Sequence, residues 1–173
     1  YELSTEKARQ ALPRELPYKD AVYNVSRVGL LPAAMNPVVL AQAAQQGKSG
    51  VAAAPAQDAD TCACSGGTRE SAFADELAAA QAQSNALLFT ATQDKLHQPY
   101  RGALMPPSTE LIALFRSKGY AAAVSGAGPC VLVLHYGNAR EAIDQIASEQ
   151  LASGHWRVLH LPINTAGVEI ERR

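Results

Sequence analysis

The chain of 173 residues is 47% hydrophobic and 18% charged, with 15 basic against 16 acidic residues. That length suits one core with room for an insertion, and the near-neutral balance excludes a polyelectrolyte or a general nucleic-acid-binding surface. No apolar run is long enough to cross a bilayer, and Tyr1-Glu2-Leu3-Ser4 has neither the basic nor the apolar region of a secretory signal. The expectation is a soluble, cytoplasmic protein with a small-molecule partner, no membrane and no nucleic acid. Cys62, Cys64 and Cys130 give no disulfide framework, which fits a reducing compartment. A chain that opens on tyrosine rather than methionine is expected to be processed or to be part of a longer one.

Good helix formers run from Leu3 to Leu12, with Ser4 placed to cap them and Pro13 to stop them. After Pro17, Ala21, Val22, Val25, Val28 and Leu31 recur at helical spacing and predict a helix over Tyr18–Ala34, kinked or stopped early by Gly29 and Pro32. From about Asn36 to Asn85 the composition shifts to Ala, Gln, Ser and Gly. Its middle lacks periodicity, and an insertion or projecting loop is expected within about 37–84. Helical pattern returns from about Ser71 and is expected to include Ala86–Leu96.

Ser108 is placed to cap a helix over Thr109–Lys118, with Leu111, Ile112, Leu114 and Phe115 as its apolar side and Gly119 as its stop. Ala121–Val124 and Val131–Leu134 read as short strands flanking the turn Ser125-Gly126-Ala127-Gly128-Pro129. Asn138 and Glu141 have capping-box spacing before a helix reaching Leu151, and Trp156–Ile163 alternates as a final strand would. This order predicts an α+β fold, an antiparallel sheet with helices covering one face.

The glycine turn is the first candidate for function. Gly126 and Gly128 permit positive backbone dihedrals and close approach, so exposed N–H groups there would either cradle an anion or simply shape a turn. Arg101 is the best anion binder, because guanidinium pairs bidentately with a carboxylate or phosphate, and His97 stands beside it; a helix-end ion pair and a packing histidine are the plainer readings. Thr5 and Arg9 share a helix face, and Asn24 and Arg27 offer a similar, equally ambiguous pair. Gly47-Lys48-Ser49 copies the tail of a P-loop, yet Gln42 stands where its first glycine belongs. Cys62-Ala63-Cys64 has no second ligand pair nearby, and His135, His155 and His160 show no ligand spacing that makes a zinc site.

Four separated blocks, Ser4-Thr5-Glu6-Lys7-Ala8-Arg9, Asp20-Ala21-Val22-Tyr23-Asn24-Val25-Ser26-Arg27, Asp94-Lys95-Leu96-His97-Gln98-Pro99-Tyr100-Arg101 and Val124-Ser125-Gly126-Ala127-Gly128-Pro129, together resemble the C-terminal part of the homoserine kinase family. That family belongs with the galactokinases, mevalonate kinases and phosphomevalonate kinases. The resemblance implies a ferredoxin-like sheet and transfer of the ATP γ-phosphoryl group to L-homoserine in threonine biosynthesis. It implies Arg9 and Arg101 as carboxylate binders, Thr5 as a polar substrate contact and Gly128 as part of the motif closing the site. His97, Ser125, Gly126, Asn24 and Arg27 would play supporting roles. The family's Gly/Ser-rich phosphate loop and hydroxyl-positioning residues have no counterpart here. ATP and Mg²⁺ are therefore expected only in a complete enzyme, whose partners would be a missing N-terminal kinase half and a second copy in a homodimer, and the chain alone is expected to be inactive. A non-catalytic amino-acid-binding or regulatory module is the alternative.

Overall fold

Proline and glycine positions decide where several of the described helices begin or break. The computed structural model describes residues 3–36 and 67–161. The first compact unit, 1–138, contains α1 (Thr5–Gln10), α2 (Tyr18–Val28), α3 (Leu31–Ala34), α4 (Gly67–Ala91), α5 (Gln98–Arg101), a 3-10 turn over Gly102–Leu104, α6 (Pro106–Ser117), β1 (Ala121–Val124) and β2 (Val131–Leu134). The second unit, 139–173, contains α7 (Arg140–Ile146) and α8 (Ser148–Ala152).

The hairpin organises the first unit. Ala121, Ala122, Ala123 and Val124 pair antiparallel with Leu134, Val133, Leu132 and Val131, on the boundaries the two apolar runs predict. Alanine keeps β1 thin, so α4 and α6 both pack closely against it. Ala121 and Ala122 are buried, and Ala121 joins Ala34 and Leu88 in a small core flanked by Leu31, Leu87, Phe89, Leu134 and Tyr136. On α6 the buried side chains are Ser108, Leu111, Ile112 and Phe115, the i, i+3, i+4, i+7 stripe of a helix with one core face.

Several expected boundaries shift for physical reasons. Helix α6 begins at Pro106, not Thr109. Prolines 106 and 107 occupy its first positions, where a missing N–H costs nothing, and Ser108 is not its cap but a buried residue whose hydroxyl donates to Pro129 O at 2.6 Å. The helix expected through Leu96 ends at Ala91. The Tyr18–Ala34 segment stops at Val28 and restarts at Leu31, the break falling at Gly29. Its apolar side is not core: α2 has no buried residue, and Tyr18, Val22, Val25 and Val28 are exposed. Ser4 precedes α1 as expected but makes no side-chain cap hydrogen bond.

Helix α4 starts at Gly67, so the last part of the Ala/Gln-rich stretch is helical. Residues 37–66, which hold the expected loop, Gly47-Lys48-Ser49 and Cys62-Ala63-Cys64, lie outside the described residues.

In the second unit, Asn138 and Glu141 form no capping box; Ala139 is the N-cap of α7 and provides no side-chain bond. The helix expected to reach Leu151 breaks at Ala147 into α7 and α8. The strand expected over Trp156–Ile163 is absent from 156–161, and 162 and 163 lie outside the described residues. The segment after α8 is held instead by His160, whose Nε2 lies 3.0 Å from Asp144 Oδ2 on α7. Among the described residues the sheet has two antiparallel strands with helices packed on it, so the fold is α+β with a small antiparallel sheet. No helix among the described residues is long and apolar enough to cross a membrane.

Candidate functional site

Helix α5 is only one turn long, and a helix that short does not hold itself together in water. Asp94 supplies the missing support. Its Oδ1 accepts from the Leu96 N–H at 3.0 Å, and its Oδ2 accepts from the His97 N–H at 2.8 Å and from the Gln98 N–H. The His97 ring adds Nδ1 at 3.2 Å from Oδ1. Asn24, on α2, donates through Nδ2 to the same Oδ1 while its own Oδ1 accepts from the Lys95 N–H at 2.8 Å. Partial burial alone would raise the Asp94 pKa, but the hydrogen bonds from Gln98, Asn24, Leu96 and His97 outweigh it and hold the pKa at about 2.

This carboxylate links pH to stability. The folded pKa of about 2 lies below the ordinary 3.8, so the stabilisation is present in full above about pH 4 and is lost as pH falls through 2. After allowance for solvent screening it is worth about 1 kcal/mol. Urea titrations between pH 7 and pH 2 are expected to show that loss in the native sequence, and Asp94→Asn should be destabilised at neutral pH with a flatter decline toward acid.

At the far end of α5, Arg101 joins three parts of the unit. Its Nε donates to Ala8 O on α1 at 3.0 Å, and a terminal NH group reaches Gly126 O in the glycine turn at 3.5 Å. Between these ends, Gln98 Oε1 accepts from the Val124 N–H at 3.2 Å and anchors α5 to β1. The glycine turn is closed by Ser125 N–H donating to Cys130 O at 2.8 Å and Gly128 N–H donating to Ser125 O at 3.2 Å. Those two N–H groups are therefore used within the turn and are not offered to an anion. Gly128 has φ +90° and lies against Met105, which is fully buried.

A cleft of about 420 Å³ opens beside this junction, lined among others by Asn24, Arg27, Asp94, His97, Arg101 and Gly126. Arg27, in the lining, stacks on Tyr23 with its guanidinium carbon 3.6 Å from the ring centroid, and Lys95, outside the lining, places its Nζ 4.3 Å from the same centroid. The Tyr23 hydroxyl donates to Gln93 Oε1.

Asn24, Arg27, His97, Arg101 and Gly126 thus come together. Thr5 and Arg9 are exposed on α1, the helix whose Ala8 carbonyl Arg101 grips, and do not line the cleft. Ser125 and Gly128 belong to the adjoining turn without lining it. Asp94, Gln98 and Gln93 were not singled out by sequence. Their signal was weak: an Asp four residues before the first residue of a short helix with proline at its second position. Cys130 is a free, exposed thiol, and no cluster of three or more metal-ligating side chains occurs among the described residues.

Residues 71–152 match the family model described as GHMP kinases C terminal, a span that includes α5, α6 and the whole hairpin. The chain is 32% identical over 171 residues to a homoserine kinase of Clavibacter michiganensis, covering 98% of this chain and 39% of that protein. It is 33% identical over 172 residues to a homoserine kinase of Leifsonia xyli, covering 98% and 38%, and 31% identical over 172 residues to one of Corynebacterium aurimucosum, covering 99% and 39%. The chain therefore spans about two fifths of the length of the curated relatives it matches. The hairpin, α6, the glycine turn and all of α4 after its first turn lie inside the matched residues, and these residues form a GHMP kinase C-terminal domain.

Proposed function

We propose that the chain is the substrate-side part of a homoserine kinase, a cytoplasmic enzyme that transfers the γ-phosphoryl group of ATP to L-homoserine and yields O-phospho-L-homoserine for threonine biosynthesis. The observation that carries this reading is Arg101, whose guanidinium spans from α1, which bears Thr5 and Arg9, to the glycine turn beside the cleft. An amino-acid carboxylate is the ligand such a fork suits. Arg101 and Arg9 would pair with it, Thr5 would supply a hydroxyl, and the substrate's own hydroxyl would be held toward the phosphoryl donor.

Phosphoryl transfer depends chiefly on positioning and on electrostatic stabilisation, so an anchored carboxylate contributes directly to rate. Asp94 is a poor candidate for a base, since both its oxygens are already accepting hydrogen bonds. The residues described here do not fit ATP or Mg²⁺: the turn's Ser125 and Gly128 N–H groups are used internally, and the cleft's one carboxylate is fully engaged. The nucleotide and metal would be held by the remainder of a longer protein. The exposed apolar side of α2 supports that division, as a face a second part of the enzyme would cover.

The test uses the complete protein containing this chain. Homoserine-dependent ADP formation is expected, and Arg101→Ala should raise the KM for homoserine by roughly 10- to 100-fold, the loss of a charge-assisted pair. Homoserine binding without turnover would replace the kinase reading with a regulatory module, and full activity of the isolated chain would overturn the division of labour.

A further inference from the structure

We propose that Asn24 and Asp94 form a positioning device that sets the direction of the Arg101 guanidinium and thereby tunes recognition of the substrate carboxylate. The proposal rests on Arg101 as the carboxylate anchor. Three observations carry it. Arg101 ends a four-residue helix that cannot fix its own orientation, and its N–H reaches back to His97 O at 3.0 Å within that single turn. The first N–H groups of the turn, at Leu96, His97 and Gln98, all donate to the Asp94 carboxylate, so the carboxylate determines where the helix points. Asn24 then ties that carboxylate and the Lys95 N–H to α2, a longer helix 70 positions earlier in the chain.

The carboxamide reads both polarities of the turn, donating to the acid and accepting from the backbone. A hydrophobic replacement would lose both bonds together. The consequence reaches Arg101 through a rigid path of hydrogen bonds: α2 holds the turn, the turn holds α5, and α5 presents the guanidinium between Ala8 O and Gly126 O. Two of its N–H groups are committed to protein carbonyls, so the remaining face has little freedom to find a ligand that arrives at another angle. Asp94 and Asn24 act through Arg101 and are positioning residues.

Steady-state kinetics of the complete protein with Asn24→Ala, Asp94→Asn and Arg101→Ala test the proposal. Homoserine is compared with the amino alcohol that lacks its carboxylate. Asn24→Ala and Asp94→Asn are expected to raise the KM for homoserine about tenfold while leaving the KM for ATP and turnover of the amino alcohol within twofold of the native protein. Asn24→Ala keeps the Asp94 bonds to the backbone, so it carries the test if Asp94→Asn does not fold. If Arg101→Ala raises the KM for homoserine and the other two variants leave it unchanged, the positioning role is overturned while the carboxylate anchor stands. Unchanged kinetics in Arg101→Ala would remove the anchor itself. Equal losses on homoserine and on the amino alcohol would reduce Asn24 and Asp94 to general structural supports and also overturn the proposal.

Discussion

Gly128→Ala is expected to destabilise the domain by about 3 kcal/mol, seen as a large drop in the urea midpoint. Two costs combine. At φ +90° a Cβ is strained whatever surrounds it, and here it would stand 2.5 Å from Met105 Sδ and 3.2 Å from its Cε. Met105 is 0% exposed, so its side chain has no open space into which to swing. Gly126 provides the comparison: its φ is +64° but no atom lies within 4 Å of the added Cβ, so Gly126→Ala should cost only about 1 kcal/mol. Combining Gly128→Ala with Met105→Ala should cost less than the sum of the two single changes, as expected for residues in contact. Additive losses would show that the close approach to Met105 has no energetic weight.

The second large effect belongs to Arg116. Its guanidinium donates to Phe89 O at 2.7 Å, Ala122 O at 3.0 Å and Thr92 Oγ1 at 3.1 Å, and it sits 4.2 Å from the Phe89 ring centroid. One side chain on α6 thus satisfies carbonyls at the end of α4 and in β1, where the helix has no further N–H of its own to offer. Burial pushes the Arg116 pKa down from its ordinary value, with nearby Tyr23 acting in the opposite direction. Arg116→Ala is expected to cost about 3 kcal/mol in chemical denaturation, because it removes the donor to Ala122 O and leaves Phe89 O with only the longer bond from Thr92 Oγ1 at 3.5 Å. Arg116→Lys should recover less than half of that, since an ammonium cannot reach all these acceptors in one plane. Full recovery by lysine would mean that charge, not the fork, is what the site needs.

What the sequence disclosed depended on how local the cause was. The hairpin was legible because two four-residue apolar runs are bounded by glycines, and both strands fall on the expected residues. The break after Val28 was also legible, since Gly29 and Pro32 act within a turn of themselves. Ser108 misled because a serine before a helical run resembles a cap, whereas the two prolines before it already start the helix and free its hydroxyl for Pro129 O. Over its described residues, 156–161, the expected Trp156–Ile163 strand failed for a different reason. Alternation describes a segment suited to a sheet, but only a partner edge makes one, and Val158, Leu159 and Leu161 are exposed.

In the candidate site, cationic and glycine positions were legible from chemistry and resemblance, and Asn24, Arg27, His97, Arg101 and Gly126 do line one cleft. Asp94 was hidden because its importance lies in contacts across 70 positions of sequence, to Asn24, and in backbone donors that carry no side-chain signature. The apolar stripe of α2 shows the same limit: periodicity identified its residues but not what covers them.

Asn85 gives the hairpin a property that its own strands lack. From the C-terminal third of α4 its Nδ2 donates to Tyr136 O at 3.1 Å while its Oδ1 accepts from the Tyr136 N–H at 2.8 Å. A carboxamide has the donor and acceptor of a peptide group, so Tyr136, two residues beyond the end of β2, meets it as it would a neighbouring strand. A helix therefore acts as a ruler for a sheet. Sliding β2 by one residue would take Tyr136 off that mark and also turn every side chain of the strand to the opposite face, so the alignment of Val131–Leu134 with Ala121–Val124 is fixed from outside the ladder.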